Sequence, residues 1–323
     1  MIVSKTPLRI TLAGGGTDLP SYYKKNTGYV ISMAINKNIY ISVNKTFVNY
    51  FQLKYSDYEK VKNINQIKHN LIREQLKYFD IKDKLEISSI ADVPSGTGLG
   101  SSGSFGVGLF NALQKLKKLN LSKREIALKS SKIEMEKVKA KVGHQDNIIA
   151  TYGGITEQNY SSKFIKINKM KITKNFQFIV NNNLVMFYTN LNRSASDILS
   201  NQDKLSKLEN KKIINNLNET KKLGLEVRKL IIEDKFHEYH RILHEHWKIK
   251  KLRDKNISNP KINQMFDFGI KNGAISGKLI GAGGGGFFLF YTRDKKKLIK
   301  AFERKKVPDF RFKLNIKGSE ILK

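Results

Sequence analysis

The sequence has no cysteine among its 323 residues and only five prolines. The absence of cysteine excludes disulfide bonds and thiolate metal sites, and it is compatible with a reducing compartment. The longest uncharged apolar stretch, Leu279–Thr292, is interrupted by five glycines, and it is shorter than the roughly 20 residues of a membrane helix. The first residues lack the charged and then apolar pattern of a signal peptide. We therefore expect a cytoplasmic protein that does not enter a membrane.

Acidic residues are also scarce: 28 Asp and Glu stand against 60 Lys and Arg, which gives a net charge of +32. A basic protein often binds nucleic acid, because neutralising phosphates releases counterions. Here the basic residues are spread over the whole chain, and no nucleic-acid-binding motif is recognisable. Lysine at solvated positions explains this charge more simply, and the same field favours anionic small molecules such as ATP and sugar phosphates. A nucleic-acid partner is the disfavoured alternative, and a homodimer is left open.

The order of predicted elements indicates an α+β protein with a soft domain boundary near residue 172. With 40% apolar residues, a chain of this length can build two domains that each bury a core. Strand and helix runs follow one another without a regular βαβ alternation. Strands are predicted at 2–12, 29–43, 85–90, 164–172, 176–188 and on both sides of a loop within 278–291, and helices at 69–79, 105–116, 122–138 and within 194–250.

A segment rich in glycine and serine, Val93–Gly103, lies between a predicted strand and a predicted helix. Its glycines let the backbone approach a bulky ligand and turn several N–H groups in one direction. The helix start adds the positive end of its dipole, and two serines add hydroxyls for phosphate or Mg²⁺. Gly98, Gly100 and Gly103 also satisfy G-x-G-x-x-G, but a second helix follows instead of a strand with an acidic residue, which argues against a dinucleotide site. The segment predicts a phosphate-binding loop.

Two other glycine runs lie near the ends of the chain. Gly281–Gly286 also fits G-x-G-x-x-G, yet it leads into a strand, whereas a dinucleotide loop opens a helix. It can still pack closely against a ligand or another backbone. The stretch Gly273–Leu279 fails as a Walker A motif, because its spacing is wrong and no Ser or Thr follows the lysine. The first run, Gly14–Gly16, precedes Thr17 and Asp18 at a strand end.

In this order, the three glycine segments resemble the motifs of the GHMP kinases, a family that includes galactokinase, homoserine kinase and mevalonate kinase. The chain matches P-x-R-x-x-L-x-G-x-x-T-D at 7–18, P-x-x-x-G-L-x-S-S at 94–102 and K-x-x-G-A-G-G-G-G at 278–286. The resemblance covers nearly the whole chain. It implies an N-terminal, ribosomal-protein-S5-like kinase domain over 1–172 that holds ATP, and a C-terminal, ferredoxin-like domain over 173–323.

Within the family, the chain is similar to the sugar-1-kinase branch that acts on D-glycero-D-manno-heptose 7-phosphate or L-fucose. This implies phosphorylation of the anomeric hydroxyl of heptose 7-phosphate to the 1,7-bisphosphate, for GDP-heptose and surface polysaccharide; an L-fucose kinase is the alternative. His144 stands where this branch usually has Lys, and Asn190 where it often has Gly. The segments that carry the similarity are Leu8–Ile10, Ala13–Asp18, Gly143–Asp146, Tyr152–Gly154, Tyr188–Asn190 and Arg193–Ala195.

The resemblance also implies roles for individual residues. Asp146 matches the catalytic base for the sugar hydroxyl and Arg9 the basic residue near the transferred phosphate, although from the sequence alone Asp146 fits a cap after Gly143 better. Glu134 matches a Mg²⁺ ligand, with Glu136 as its competitor, since helical spacing lets only one face the site. The full sets are Pro94, Gly96, Gly98, Leu99, Gly100, Ser101, Ser102 and Gly103 for ATP, Ser102 and Glu134 for Mg²⁺, and Gly16, Thr17, Asp18, Arg193, Gly283 and Gly284 for the sugar.

A heptose 7-phosphate also needs a cation for its distal phosphate. Arg193 is the expected one, with Lys248 and Lys251 behind it. A group of histidines lies in the same helical stretch, but it lacks H-E-x-x-H and supporting acidic residues, so we expect a solvated or packed helix face and not a metal site. These histidines are His237, His240, His244 and His246.

Overall fold

The structure, a computed structural model, describes residues 1–191 and 195–322. Two sheets organise these residues, with helices packed against them, which confirms the α+β class. Among the described helices, none combines the length and apolar content that crossing a bilayer requires. The strands are β1 (Ile2–Ala13), β2 (Gly28–Lys45), β3 (Phe51–Lys54), β4 (Tyr58–Val61), β5 (Leu85–Ala91), β6 (Ile155–Tyr160), β7 (Ile165–Lys169), β8 (Leu184–Tyr188), β9 (Ala274–Leu279), β10 (Phe287–Thr292), β11 (Asp309–Phe310) and β12 (Glu320–Leu322).

The helices fall between these strands, and several begin at the side chains that the sequence offers as caps. Ser122 and Glu125 form the expected capping box, which satisfies backbone donors at the helix start. A π-helical turn, Ile133–Lys137, continues that helix. The helices are α1 (Pro20–Asn26), α2 (Asn70–Tyr78), α3 (Ser101–Leu116), α4 (Lys123–Lys132), α5 (Gln145–Tyr152), α6 (Lys174–Asn183), α7 (Ala195–Lys207), α8 (Lys211–Ile232), α9 (Tyr239–Arg253), α10 (Pro260–Lys271) and α11 (Lys295–Glu303).

The larger sheet has the strand order β12-β1-β2-β5-β3-β4, and β6 and β7 extend it from β2. Its long central pair, β1 and β2, is antiparallel with two register shifts, while β3 and β5 are parallel. The smaller sheet has the order β11-β8-β10-β9. The last strand, β12, returns to the larger sheet beside β1. The domain boundary near residue 172 stays a prediction.

Helix α3 covers the larger sheet, and its small residues allow this close packing. A side chain on Gly108 would lie 2.9 Å from the Thr6 hydroxyl, so glycine is required where the helix touches β1. Ser104 donates to the carbonyl oxygen of Pro7 at 2.7 Å. The glycine run after β1 and the loop before α3 line one cavity.

One predicted strand is wrong in its first half. Residues 176–188 form helix α6 followed by β8. Thr173 caps that helix by accepting from the Phe176 N–H at 3.0 Å, and the buried residues Phe176, Ile179 and Val180 recur at helical spacing. Aromatic and β-branched residues therefore misled the assignment, while cap and periodicity favoured a helix. The stretch predicted at 29–43 is one continuous strand, and strand, loop and strand follow within 278–291 as expected.

Candidate active site

Two cavities meet at the N-terminus of α3. The first has a volume of about 220 Å³ and lies among the ends of β1 and β9 and the starts of α3 and α5. The second, of about 770 Å³, is lined by apolar and aromatic side chains such as Tyr55 and Phe105. Gly96, Ser101 and Ser102 line both cavities. A ligand in either cavity therefore reaches the same loop.

The predicted phosphate loop has the expected geometry for an anion site. Gly96, Gly98 and Gly100 all have positive φ angles, which side chains rarely adopt. A Cβ on Gly98 would also lie 2.6 Å from the carbonyl oxygen of Ile280. Gly100 precedes α3 and offers no side chain to cap it, so the first N–H groups of this helix are left for a ligand. Leu99 is fully buried, and its carbonyl oxygen accepts from the Arg9 N–H at 3.0 Å; it anchors the loop.

Arg9 and Asp146 form a bidentate ion pair in the first cavity. Arg9 Nε donates to Asp146 Oδ1 at 2.8 Å, and Nη2 donates to Oδ2 at 2.9 Å. The remaining Nη1 donates to the carbonyl oxygen of Gly98. A side chain on Gly103 would lie 2.6 Å from Asp146 Cβ, so α3 and α5 approach closely here. The pair joins the strand end, the phosphate loop and α5, and this geometry fixes the Asp146 carboxylate.

Asp18 is buried beside this pair at the wall of the first cavity. Its oxygens accept from the backbone N–H groups of Gly16 at 3.1 Å and Gln145 at 3.2 Å. Burial and, next, the charge of Asp146 raise the Asp18 pKa to about 6. A side chain on Gly143 would lie 2.1 Å from Asp18 Oδ2. Gly143 thus leaves room for the Asp18 carboxylate, and Asp146, three residues later, provides the second carboxylate of the cavity.

Ser102 and Glu134 are also brought together. The Ser102 hydroxyl donates to Glu134 Oε1, and Glu134 is only 3% exposed. Among the described residues Glu134 Oε2 has no hydrogen-bond partner, and burial raises the pKa of this carboxyl to about 7. Glu136 instead points outward and lies 3.9 Å from Lys132, so only one of the two glutamates faces the site. A buried carboxylate oxygen beside a hydroxyl, next to a phosphate loop, fits Mg²⁺, which takes few protein ligands and completes its shell with phosphate and water.

Basic side chains form a further part of the wall of the first cavity. Lys278 donates to the carbonyl oxygens of Thr11 at 2.9 Å and Leu12 at 2.6 Å, and burial lowers its pKa to about 7. The other members lie on α9 at positions i, i+4 and i+7, which is one helix face. No motif in the sequence marks this face, and the spacing of its members is the one local signal of it. These members are His246, Lys250 and Arg253.

Some predicted ligands do not reach the cavity. The hydroxyl of Thr17 is fully buried and bonds to Gly14 and Tyr29 of the backbone, so it holds the turn and does not face a sugar. Gly284 does not line the first cavity, in contrast to Gly283, and its N–H donates to the carbonyl oxygen of Ile257 at 2.9 Å. Pro94 lines the second cavity, while Gly16 and Asp18 line the first. Arg193 lies outside the described residues.

The two lysines named behind Arg193 point away from the site. Lys248 lies 3.6 Å from Glu245 at the surface, and Lys251 lies over the Trp247 ring. Neither lines the first cavity, because residues 248 and 251 occupy other faces of α9 than 250 and 253.

The histidines of this stretch are also separated. His237 is exposed, His240 packs near Tyr291 and His244 near Phe266. His246 alone of the four lines the first cavity.

Comparisons with known proteins show which family the chain resembles. A model of the GHMP kinases N terminal domain matches residues 69–154, and a model of the GHMP kinases C terminal domain matches 227–309. A D-glycero-alpha-D-manno-heptose 7-phosphate kinase of Campylobacter jejuni is 32% identical over 96% of both chains. A mevalonate kinase of Methanocaldococcus jannaschii is 29% identical over 96% of this chain and 98% of its own. The structure of a putative sugar kinase from Campylobacter jejuni superposes with a TM-score of 0.80 and 27% identity, covering 99% of this chain and 98% of that one.

Proposed function

Because this chain belongs to the GHMP kinases, which transfer phosphate from ATP to alcohol groups, we propose that it phosphorylates the anomeric hydroxyl of D-glycero-D-manno-heptose 7-phosphate. The observation that carries the proposal is the meeting of two cavities at the start of α3, with Arg9 and Asp146 beside the junction. The similarity to the heptose 7-phosphate kinase of Campylobacter jejuni supports this choice of sugar. The product is the 1,7-bisphosphate, a precursor of nucleotide-activated heptose, and we propose the cytoplasm, where ATP is abundant, as the site of the reaction.

The nucleotide occupies the second cavity in this proposal. Its base and ribose lie among the apolar side chains near Tyr55 and Phe105, and its phosphates lie on the N–H groups at the start of α3. Ser102 and Glu134 would hold Mg²⁺, and the Glu134 oxygen without a protein partner is available to it. When bound, this ion would neutralise charge on the phosphates and withdraw electrons from the transferred group.

The acceptor sugar occupies the first cavity. Asp146 Oδ accepts the proton of the anomeric hydroxyl. The hydroxyl oxygen bonds to the γ-phosphorus, the bond from that phosphorus to the bridging oxygen of ADP breaks, and ADP leaves. Arg9 holds the carboxylate in position and places positive charge beside the transferred phosphate, where negative charge gathers in the transition state. Asp18, held by two backbone N–H groups, is placed to accept from sugar hydroxyls. The chain therefore orients the acceptor and removes its proton.

Product analysis tests the proposal. The protein is incubated with MgATP and either heptose 7-phosphate or L-fucose, and phosphorus NMR follows the products. We expect ADP and a new anomeric phosphate ester, in equal amounts, with heptose 7-phosphate. A new ester only with fucose would make the protein an L-fucose kinase. No ester with any sugar or sugar phosphate of a wider panel would refute a sugar kinase altogether.

A further inference from the structure

The basic face of α9 contains an unusual buried side chain. His246 is only 5% exposed, and in the described part of the chain neither of its ring nitrogens has a hydrogen-bond partner. A buried polar group without a partner costs free energy that an apolar residue would avoid. The ring nevertheless lines the first cavity together with Lys250 and Arg253. Its free nitrogens therefore point to a ligand that the cavity receives.

The neighbouring cations have spare donors too. Lys250 Nζ donates to the carbonyl oxygens of Leu279 at 2.8 Å and Gly281 at 2.6 Å. When protonated, as it would be beside a bound anion, the amine has three N–H donors, so one remains for a ligand. Lys278 is in the same position, because its Nζ also has two carbonyl partners. In the ranges described above, neither lysine has a carboxylate partner within salt-bridge distance.

Arg253 completes the group. Its Nε donates to Asn216 at 2.8 Å, its Nη1 to the carbonyl oxygen of Gly15 at 3.2 Å, and its Nη2 to the Thr220 hydroxyl at 2.7 Å. These partners are all neutral, so the guanidinium keeps its charge without a counterion in direct contact. The arginine is rigidly held and faces the cavity, as a preorganised anion site requires.

Charge explains why this wall needs an anion. Burial lowers the pKa of His246 and of Lys250 well below their ordinary values, and the neighbouring cations lower them further. Without an anion, burial and these neighbours favour the uncharged forms of both side chains, since the interior screens charges weakly. A phosphate dianion in contact with the group would favour the protonated forms, whose positive charge it would then pair. Its oxygens would also accept from the spare N–H donors.

The nucleotide does not account for this wall. The phosphate loop and the pair of Ser102 and Glu134 serve the nucleotide phosphates at the junction of the cavities. His246, Lys250, Arg253 and Lys278 line the first cavity and not the second. Gly98, Gly100 and Glu134 line the same cavity, but they already provide partners for the nucleotide phosphates, and we therefore assign an anion on the α9 wall to the acceptor.

We infer that His246, with Lys250 and Arg253, binds the phosphate that the acceptor already carries, and so selects phosphorylated over unphosphorylated sugars. This inference rests on the proposed function for the identity of the acceptor. It assigns the role of the distal-phosphate site to α9. His246 acts as the specificity-determining residue, because it alone among the three has no structural hydrogen bond to lose.

His246→Leu gives the sharpest test, since a buried leucine has no nitrogens to satisfy and should keep the fold. His246→Gln, which retains a donor, is the second variant, and His240→Leu on the same helix but away from the cavity is the control. Binding of heptose 7-phosphate and of the unphosphorylated heptose is measured by calorimetry without ATP, and melting confirms the fold. For His246→Leu we expect about 10- to 100-fold weaker binding of heptose 7-phosphate, as for loss of a hydrogen bond to a charged group. Binding of the unphosphorylated sugar should not change.

These measurements separate the role of His246 from the proposed kinase function. Equal weakening for both sugars, or no weakening for either, would overturn the assignment of His246 while the kinase activity stands. If the wild-type protein phosphorylates no sugar, the proposed function fails, and inorganic phosphate then serves as the probe. Binding of inorganic phosphate that is lost in His246→Leu but kept in His240→Leu would still support an anion site. Its retention in both variants would refute one.

Discussion

The buried Asp18 carboxyl makes the stability of the folded protein depend on pH. Burial and the charge of Asp146 raise its pKa from 3.8 to about 6. Between these values the unfolded chain loses the Asp18 proton while the folded protein keeps it. The folded state then binds more protons, so the free energy of unfolding falls as the pH rises through this window. Asp18→Asn removes the titration.

The size of the effect follows from the shift. One pKa unit corresponds to about 1.4 kcal/mol, so a shift of roughly two units costs the folded wild type about 3 kcal/mol once the pH exceeds both values. An asparagine also loses one acceptor toward the Gly16 or Gln145 N–H. That loss lowers the free energy of unfolding of the variant by the same amount at every pH. The stability of Asp18→Asn relative to the wild type should therefore rise by about 2 to 2.5 kcal/mol from pH 4 to pH 7, whatever its starting value.

Urea unfolding of both proteins at half-unit pH steps measures this difference. Asp80→Asn is the matched control, because a hydrogen bond from Lys82 lowers the pKa of exposed Asp80. Its ionised form stabilises the folded state above the unfolded pKa, so that variant should lose stability relative to wild type as the pH rises. A flat difference for Asp18→Asn, or one with the sign of the control, would show that Asp18 is not a desolvated carboxyl beside Asp146.

Two further predictions concern the metal and the close packing. Glu134→Gln should raise the Mg²⁺ concentration for half-maximal rate by at least about tenfold, since even supporting groups of a metal site contribute roughly 10- to 100-fold; Glu136→Gln should not, and equal effects in a Mg²⁺ titration would contradict the assignment. Gly143→Ala should lower the free energy of unfolding by roughly 1–3 kcal/mol and disturb Asp18, because its Cβ would lie 2.1 Å from Asp18 Oδ2. Gly106→Ala, which meets a flexible leucine at 3.3 Å, is the comparison; similar unfolding curves for both variants would argue against a tight fit at Gly143.

Local sequence signals predicted the phosphate loop but not the basic wall. Residues 94–103 carry their own information, because positive φ angles require glycine and a helix start binds anions. The wall depends on which face of α9 turns inward, and packing sets that face. In so basic a chain, Lys248 and Lys251 were expected behind Arg193, and no local signal favoured Lys250 or Arg253 instead. The spacing of 246, 250 and 253 becomes informative only when the buried Trp247 fixes the helix against the second sheet.

Tertiary contacts also decided the other positions that the sequence left open. Glu134 was the expected metal ligand with Glu136 as its competitor, and the π-helical turn buries Glu134 and exposes Glu136. Thr17 was expected to contact the sugar, but the turn after Gly14 uses its hydroxyl. The short strand β12 pairs with β1 across more than three hundred residues, a distance at which no local pattern specifies pairing. The family motifs gave the kinase fold; side-chain direction came from packing.

The phosphotransfer rate of Asp146→Asn is the direct test of Asp146 as the catalytic base, with ATP affinity measured on the same preparation. Asparagine keeps the shape of the side chain but accepts a proton poorly, so the rate should fall by about 10²- to 10⁴-fold. Because Asp146 lines the acceptor cavity and not the nucleotide cavity, ATP should bind nearly as tightly as in the wild type. A variant that folds, binds ATP and retains a rate within tenfold of the wild type would contradict the role of Asp146 as the base.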